Sequence, residues 1–270
     1  MNNTLNNIQN QQLRPYIKHY FVLDFSSLPQ ESIEHKVPPT GFPVLQFHFG
    51  ENTNYYRHKH FTNQSLFIGQ CSRHILLYPI RGMKLFGVNF KPYGLYNLFG
   101  LSPYSFMNSG IESSLFFGEE NINRISQTLK TDGIEKGIAE IEALLLAYQN
   151  KSVKPQPYFD GLVDKMETQN GLINQQDILD KNVSVRTLQR YFKEVIGISP
   201  KLFCQILRHK YIMELLYENQ EIKWSDMQLN GFYYDFAHFS KDFIHFSGLT
   251  PKKYLPLKNN FAAALLKAKQ

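Results

Sequence analysis

SVRTLQRYFKEVIGISPKLF, from Ser184 to Phe203, and DFAHFSKDFIHFSGLTPKKY, from Asp235 to Tyr254, align without a gap at a spacing of 51 residues. In register, Ser184 meets Asp235, Leu188 meets Phe239, Phe192 meets Phe243, Gly197 meets Gly248 and Pro200 meets Pro251. Arg190 meets Lys241, and Ser199 meets Thr250. Ser and Asp are strong helix N-caps, because their side-chain oxygens accept the free amide donors of a first turn. Val185, Leu188, Phe192 and Val195 then fall at i, i+3, i+7 and i+10, and Phe236, Phe239, Phe243 and Phe246 repeat that spacing. Each copy therefore predicts a helix with one apolar face. Gly197 and Gly248 predict left-handed helix stops, with a proline three residues on. Each repeat reads as a capped helix of roughly three turns.

Outward from this pair, a shorter helical segment and a tight turn precede each copy: Ile173–Asp180 before Lys181-Asn-Val-Ser184, and Trp224–Leu229 before Asn230-Gly231. Helix, short turn and second helix with a polar outer face is the helix-turn-helix arrangement. The outer face of the first copy offers Arg186, Thr187, Gln189, Arg190 and Lys193, and that of the second offers Ala237, His238, Ser240 and Lys241. Arg, Gln and short hydroxyls can read major-groove base edges, while Lys and further Arg pair with phosphates. Arg190 could instead brace Glu194 at i+4. Lys252, Lys253 and Lys258 read either as a solvated face or as phosphate contacts after the second helix. Between the repeats, Leu202 to Tyr217 suits one long helix of roughly 24 Å. Such a strut could hold two recognition helices about one DNA turn, ~34 Å, apart.

The first half is written differently. HYFVLDF, FPVLQFHFG, SLFIGQ, HILLYPI and MKLFGVNF are strand-sized runs punctuated by Pro and Gly, from Leu13 to about Asn108. They predict a small sandwich or barrel. Phe47 and Phe49 alternate with Gln46 and His48, as in a strand with one face in water. The Asn/Gln-rich start, residues 1–12, reads as poorly ordered. Ile134, Ile138, Ile141 and Leu145 form a helical stripe that packs onto this domain or, alternatively, makes a dimer helix. The fold class is α+β. The boundaries are 1–150 for a β-rich regulatory domain ending in a helix, 151–157 for a Pro- and Lys-containing linker, 158–260 for an all-α DNA-binding domain with two helix-turn-helix subdomains, and 261–270 for a tail.

At Val183-Ser184-Val-Arg-Thr-Leu-Gln-Arg-Tyr-Phe192, Gly197-Ile-Ser-Pro200, the Arg208 region, Ala237-His238-Phe239, Phe243, Gly248-Leu-Thr-Pro251 and Tyr254, the chain resembles the AraC/XylS family of bacterial transcription regulators. The resemblance covers roughly residues 160–257. It implies two helix-turn-helix subdomains in consecutive major grooves, with Arg186, Thr187, Gln189 and Arg190 facing DNA from the first, and Ala237, His238, Ser240 and Lys241 from the second. The chain departs from the family pattern in both leading helices. Asp177-Ile-Leu-Asp180 is about one residue short, Gln228 stands where alanine is expected, and Gly231 lies seven residues before His238 rather than six. Val37-Pro-Pro-Thr-Gly41, Val44-Leu-Gln-Phe-His-Phe-Gly50, Phe67-Ile-Gly69, Phe86-Gly-Val-Asn-Phe-Lys-Pro92 and Leu98-Phe-Gly-Leu-Ser-Pro103 are similar to sensor domains of one AraC-type branch. That implies a cupin-like β-domain controlling the DNA-binding half, with no ligand implied.

Composition is consistent with these readings but does not decide them. The net charge is +6, yet residues 1–157 carry 14 Lys+Arg against 11 Asp+Glu and residues 158–270 carry 15 against 12, so neither half stands out. The two cysteines, Cys71 and Cys204, give neither a disulfide framework nor a zinc site. No signal segment and no apolar run of 18 residues appears, and the expected location is the cytoplasm. His48, His58, His60 and His74 invite a metal reading, but no acidic residue completes a set, and the expectation is no metal and no cofactor. No nucleophile elbow, HExxH or phosphate loop is present, so no catalytic residue and no enzyme is expected. The expected partner is double-stranded DNA. A small-molecule effector, a second copy of the chain and RNA polymerase are further candidates, and a membrane is not. The alternatives are a protein-interaction module or a cupin-like metal enzyme. Salt separates the first of these from a DNA binder, because neutralising phosphates makes affinity fall steeply with ionic strength.

Overall fold

The computed structural model describes residues 2–27, 34–50, 55–56, 59–60, 65–173, 183–218 and 233–257. Strands β1 (Asn2–Asn6), β2 (Ile17–Asp24), β9 (Lys84–Phe90), β4 (Val44–His48), β7 (Ser65–Ile68) and β10 (Gly110–Glu112) form one sheet in that order. Strands β3 (His35–Val37), β8 (Ile75–Tyr78), β5 (Tyr55–Tyr56) and β6 (Lys59–His60) form a second. All the pairings are antiparallel. Successive residues of a strand point to opposite faces, and here both faces of the larger sheet are covered. Tyr20, Phe47, Phe67 and Phe86 point one way, into a core closed by α1 (Gly94–Phe99), α2 (Ser114–Phe117), α3 (Glu119–Thr131) and α4 (Ile134–Ala147). Phe21, Leu23, Leu66, Ile68 and Leu85 point the other way, against Val37, Ile75 and Leu77 of the second sheet.

That second layer corrects the sequence reading of β4. Gln46 and His48 are each only 6% exposed, because the smaller sheet covers the face expected to meet water. Their side chains meet each other at 3.0 Å. The amino-terminal stretch also differs from expectation. Asn2 through Asn6 pair with Asp24 through Tyr20 along β2. The amides of Gln9 and Asn10 then donate to the two carboxylate oxygens of Glu142 at 2.8 and 2.9 Å, and the Tyr20 hydroxyl donates to the same carboxylate at 2.9 Å. A buried carboxylate with three donors is a satisfied anchor, and composition alone could not reveal it. The stripe on α4 is settled in favour of packing within this domain: Ile138, Ile141 and Leu145 are buried in the helix-covered core, with Ile134 against its edge.

Residues 149–156 carry neither helix nor strand. Beyond them the described chain is helical: α5 (Pro157–Thr168), α6 (Val185–Tyr191), a π turn over Phe192–Ile196, α7 (Pro200–Glu218), α8 (Phe236–Ser247) and α9 (Pro251–Leu257). Its two cores lie along α7. Phe203, Ile206 and Leu207 join Val163, Met166, Leu188 and Phe192 in the first, while Ile212 and Met213 join Phe239, Phe243 and Tyr254 in the second. At ~1.5 Å per residue, the 19 residues of α7 span about 28 Å. The leading segments read at Ile173–Asp180 and Trp224–Leu229, with Gln228 and Gly231, lie outside the described residues except for Ile173. Among the described residues, no helix is long and apolar enough to cross a membrane.

Candidate nucleic-acid interface

The repeat is reproduced at its ends as the sequence predicts. Ser184 accepts the Thr187 amide at 3.1 Å, and Asp235 accepts the His238 amide at 2.7 Å, so both helices start on a side-chain cap. Both stop on a left-handed glycine, Gly197 at φ 91° and Gly248 at φ 73°. They differ in winding. The Gly197 amide reaches the Phe192 carbonyl five residues back, closing a π turn, whereas the Gly248 amide reaches Ile244. Leu188, Phe192 and Val195 are buried as expected, and so are Phe239, Phe243 and Phe246. The first residue of each predicted stripe is not: Val185 is 43% exposed and Phe236 54%. Both sit at the first helical position, beyond the edge of the core beneath.

Arg186, Gln189, Arg190 and Lys193 lie exposed on α6 and its π extension. Thr187 is half-buried, its hydroxyl 2.9 Å from that of Ser184. On α8, Ala237, His238 and Lys241 are exposed and Ser240 is half-buried. Lys252 and Lys253 are exposed in the first turn of α9, and Lys258 lies outside the described residues. Gln189 of the first copy and His238 of the second line one cleft of about 710 Å³, with Lys201, Gln205 and Arg208 of α7 between them. The floor of the second copy is ordered by charge. Asp242, largely buried, lies 3.8 Å from His238 Nε2 and 4.0 Å from Arg208 Nη2, and the Arg208 guanidinium stacks 4.8 Å from the Tyr233 ring.

The proposed brace between Arg190 and Glu194 is not formed. Glu194 instead accepts the Tyr96 hydroxyl at 2.8 Å, its backbone carbonyl accepts Ser102 Oγ at 2.6 Å, and no ion pair among the described residues includes Arg190. Lys193 holds its ammonium 4.7 Å over the Tyr104 ring. These contacts tie the first repeat to the β-rich half, and the second is tied at the equivalent place. His245, the counterpart of Glu194, is 2.8 Å through Nε2 from the Ser72 carbonyl, and Lys36 donates to the Gly248 carbonyl at 3.0 Å. A side chain at Gly197 would meet the Pro103–Tyr104 backbone at 2.9 Å, and one at Gly248 would meet the His74 ring at 2.7 Å. Sequence reasoning found both glycines as helix stops but not as docking points, since their partners are distant in the chain.

The other chemical candidates fall apart spatially. His48 is buried between the sheets, where burial pushes it down to about 4. His74 faces His245 at the boundary with the helical half. Nothing is described for His58, and the side chain of His60 is likewise outside the description. Among the described residues, no three His, Cys, Asp or Glu come together to hold a metal. Neither cysteine is in a disulfide, and burial, opposed by Arg208, pushes Cys204 up to about 11, so it is held as the protonated thiol.

Residues 181–256 match a family described as a helix-turn-helix domain, and residues 10–112 match a domain of unknown function, DUF6597. No curated protein matches the chain. Among solved structures, ToxT from Vibrio cholerae at 1.65 Å is similar at 10% identity and a TM-score of 0.44, over 88% of this chain and 97% of that one. ToxT from Vibrio cholerae O395 is similar at 9% identity and a TM-score of 0.43, over 90% and 98%. Unsaturated fatty acid bound wild-type ToxT from Vibrio cholerae strain SCE256 is similar at 12% identity and a TM-score of 0.40, over 87% and 93%. The capped repeats and the family match together define the class of the domain over residues 181–256: a helix-turn-helix domain. Within that class its helix-turn-helix domain is of the AraC type.

Proposed function

We propose that both repeats read DNA, α6 with its π extension in one major groove and α8 in the next, on one face of the duplex. The observation that carries this is the equivalence of the two copies: the same cap, the same stop and an exposed polar face at the same 51-residue offset. The span of α7, about 28 Å by its residue count, suits two helices about one turn, ~34 Å, apart. Arg186, Gln189 and His238 approach base edges, with Thr187, Ala237 and Ser240 alongside. Arg190, Lys193, Lys241 and Lys252 meet phosphates or further bases. The β-rich half, residues 1–150, regulates by changing how the DNA-binding half, residues 158–260, is placed or paired with a second copy. The chain acts as a regulator and not as an enzyme.

The test is binding of the full chain to its preferred duplex and to random duplex. Arg186→Ala or Gln189→Ala weakens the specific complex by about 1–3 kcal/mol and relaxes one base position, while Lys252→Ala weakens both duplexes alike. Equal effects of Arg186→Ala on the two duplexes would contradict base reading. Affinity that does not change with salt would favour a protein partner instead.

A further inference from the structure

The two copies share a frame but differ in what they display. In register, Ala237 stands where the first copy has Arg186, Ser240 where it has Gln189, and Ile244 where it has Lys193, while Lys241 alone keeps the charge of its counterpart, Arg190. Ala237, Lys241 and Ile244 follow one another at i, i+4 and i+7, so they share one face of α8. Ile244 is 43% exposed, and Phe236, at the first helical position beside Ala237, is 54% exposed. The Phe236 ring rests against that of Phe239 at 5.8 Å, which holds it at the rim of the second core. The hydrogen-bonding groups on this face are drawn back towards the protein. Ser240 is half-buried, and His238 turns Nε2 to within 3.8 Å of the Asp242 carboxylate, its ring 5.2 Å from that of Tyr233. The first face is thus built of long donors, and the second of apolar groups around one lysine.

In the major groove the base edges are hydrogen-bond donors and acceptors with one apolar exception, the C5-methyl of thymine, and Phe and Ala are side chains that contact it. We infer that α8 reads its half of the site through thymine methyls, with Phe236 and Ala237 as the specificity-determining contacts, so that this half is rich in A·T pairs, whereas α6 reads its half through the hydrogen bonds of Arg186 and Gln189. The inference rests on the two-groove reading above and adds to it what each half recognises. DNA is the occupant of the apolar face, and not a protein partner, on two grounds. The face is continuous with Lys241, which suits phosphate, and it stands at the same 51-residue offset as the cationic face of the first copy. Burying one methyl group is worth about fourfold in affinity.

The experiment takes the full chain and a duplex selected from random DNA, and replaces thymine by uracil in one block at a time. Uracil pairs as thymine does and lacks only the methyl. The block that Arg186→Ala relaxes is that of α6, and the other is that of α8. Uracil in the α8 block should weaken binding about fourfold per contacted methyl, with the salt dependence unchanged because no charge is lost. In the α6 block it should cost less than about twofold. Phe236→Ala should weaken binding to the thymine duplex and remove most of the difference between thymine and uracil. Equal affinity for thymine and uracil in the α8 block, or an α8 block of G·C pairs, overturns the inference and leaves the two-groove reading in place. That arm uses the unaltered protein, so it holds even if Phe236→Ala does not fold. A selected motif with a single block overturns the two-groove reading, and this inference with it.

Discussion

His209, midway along α7, is the residue through which acid should unfasten the second repeat. It is 1% exposed, its ring lies 5.3 Å from that of Phe243 and 5.2 Å from that of Phe246, and neither nitrogen has a hydrogen-bond partner among the described residues. Burial, with the charge of His245 adding to it, pushes its pKa down from 6.5 to about 3. A base whose pKa is lowered by folding takes up protons more readily when unfolded, so stability is intact above pH 6.5 and is lost as pH falls towards 3. Between pH 7.5 and pH 5.0 the unfolded chain gains about 1.5 units of proton affinity that the folded chain does not, or about 2 kcal/mol at ~1.36 kcal/mol per unit. His209→Leu removes that contribution and leaves the other histidines in place. Urea unfolding of wild type and variant at both pH values measures it. The stability of the variant relative to wild type should rise by about 2 kcal/mol on acidification. A difference that stays constant with pH would refute the claim that His209 is held neutral between the two repeats.

Two further outcomes follow from the boundary between the halves. Gly197→Ala places a Cβ 2.9 Å from the Pro103–Tyr104 backbone at a positive φ and should cost about 2 kcal/mol or more in chemical unfolding; an unchanged midpoint would mean that α6 does not dock there. Tyr104→Leu leaves the Pro103–Tyr104 backbone against Gly197 in place but removes the ring beneath Lys193, an interaction of ~0.5–1 kcal/mol. It should tighten binding of the full chain to DNA about two- to fivefold by releasing that ammonium, and weaker binding by the variant would contradict a role for Lys193 in the complex.

The helical half was legible because its decisive features are local. A cap, a stripe and a left-handed stop are each specified within about 15 residues, and Ser184, Phe192 and Gly197 have exact counterparts in Asp235, Phe243 and Gly248. Strands β2, β4, β7, β8 and β9 were legible too, as runs of aromatic and branched residues, whereas β1 falls in the start that reads as poorly ordered. What local pattern could not supply was the second layer over a face. Gln46 and His48 alternate with Phe47 and Phe49 as in a half-solvated strand, yet the smaller sheet buries them. The same limit hid Glu194 and His245. Glu194 reads as a possible brace for Arg190 and nothing local singles out His245, and only the fold brings Tyr96, Ser102 and Ser72 to them. At Val185 and Phe236 the helical period is correct, but the core ends one turn short.

The central claim, that two repeats read DNA together, is tested most directly by selecting random duplexes with the full chain and sequencing the survivors. The account predicts a motif of two blocks about one helical turn, 10–10.5 base pairs, apart centre to centre, with binding that weakens steeply with salt. A single block, or no enrichment over random duplex, would contradict it.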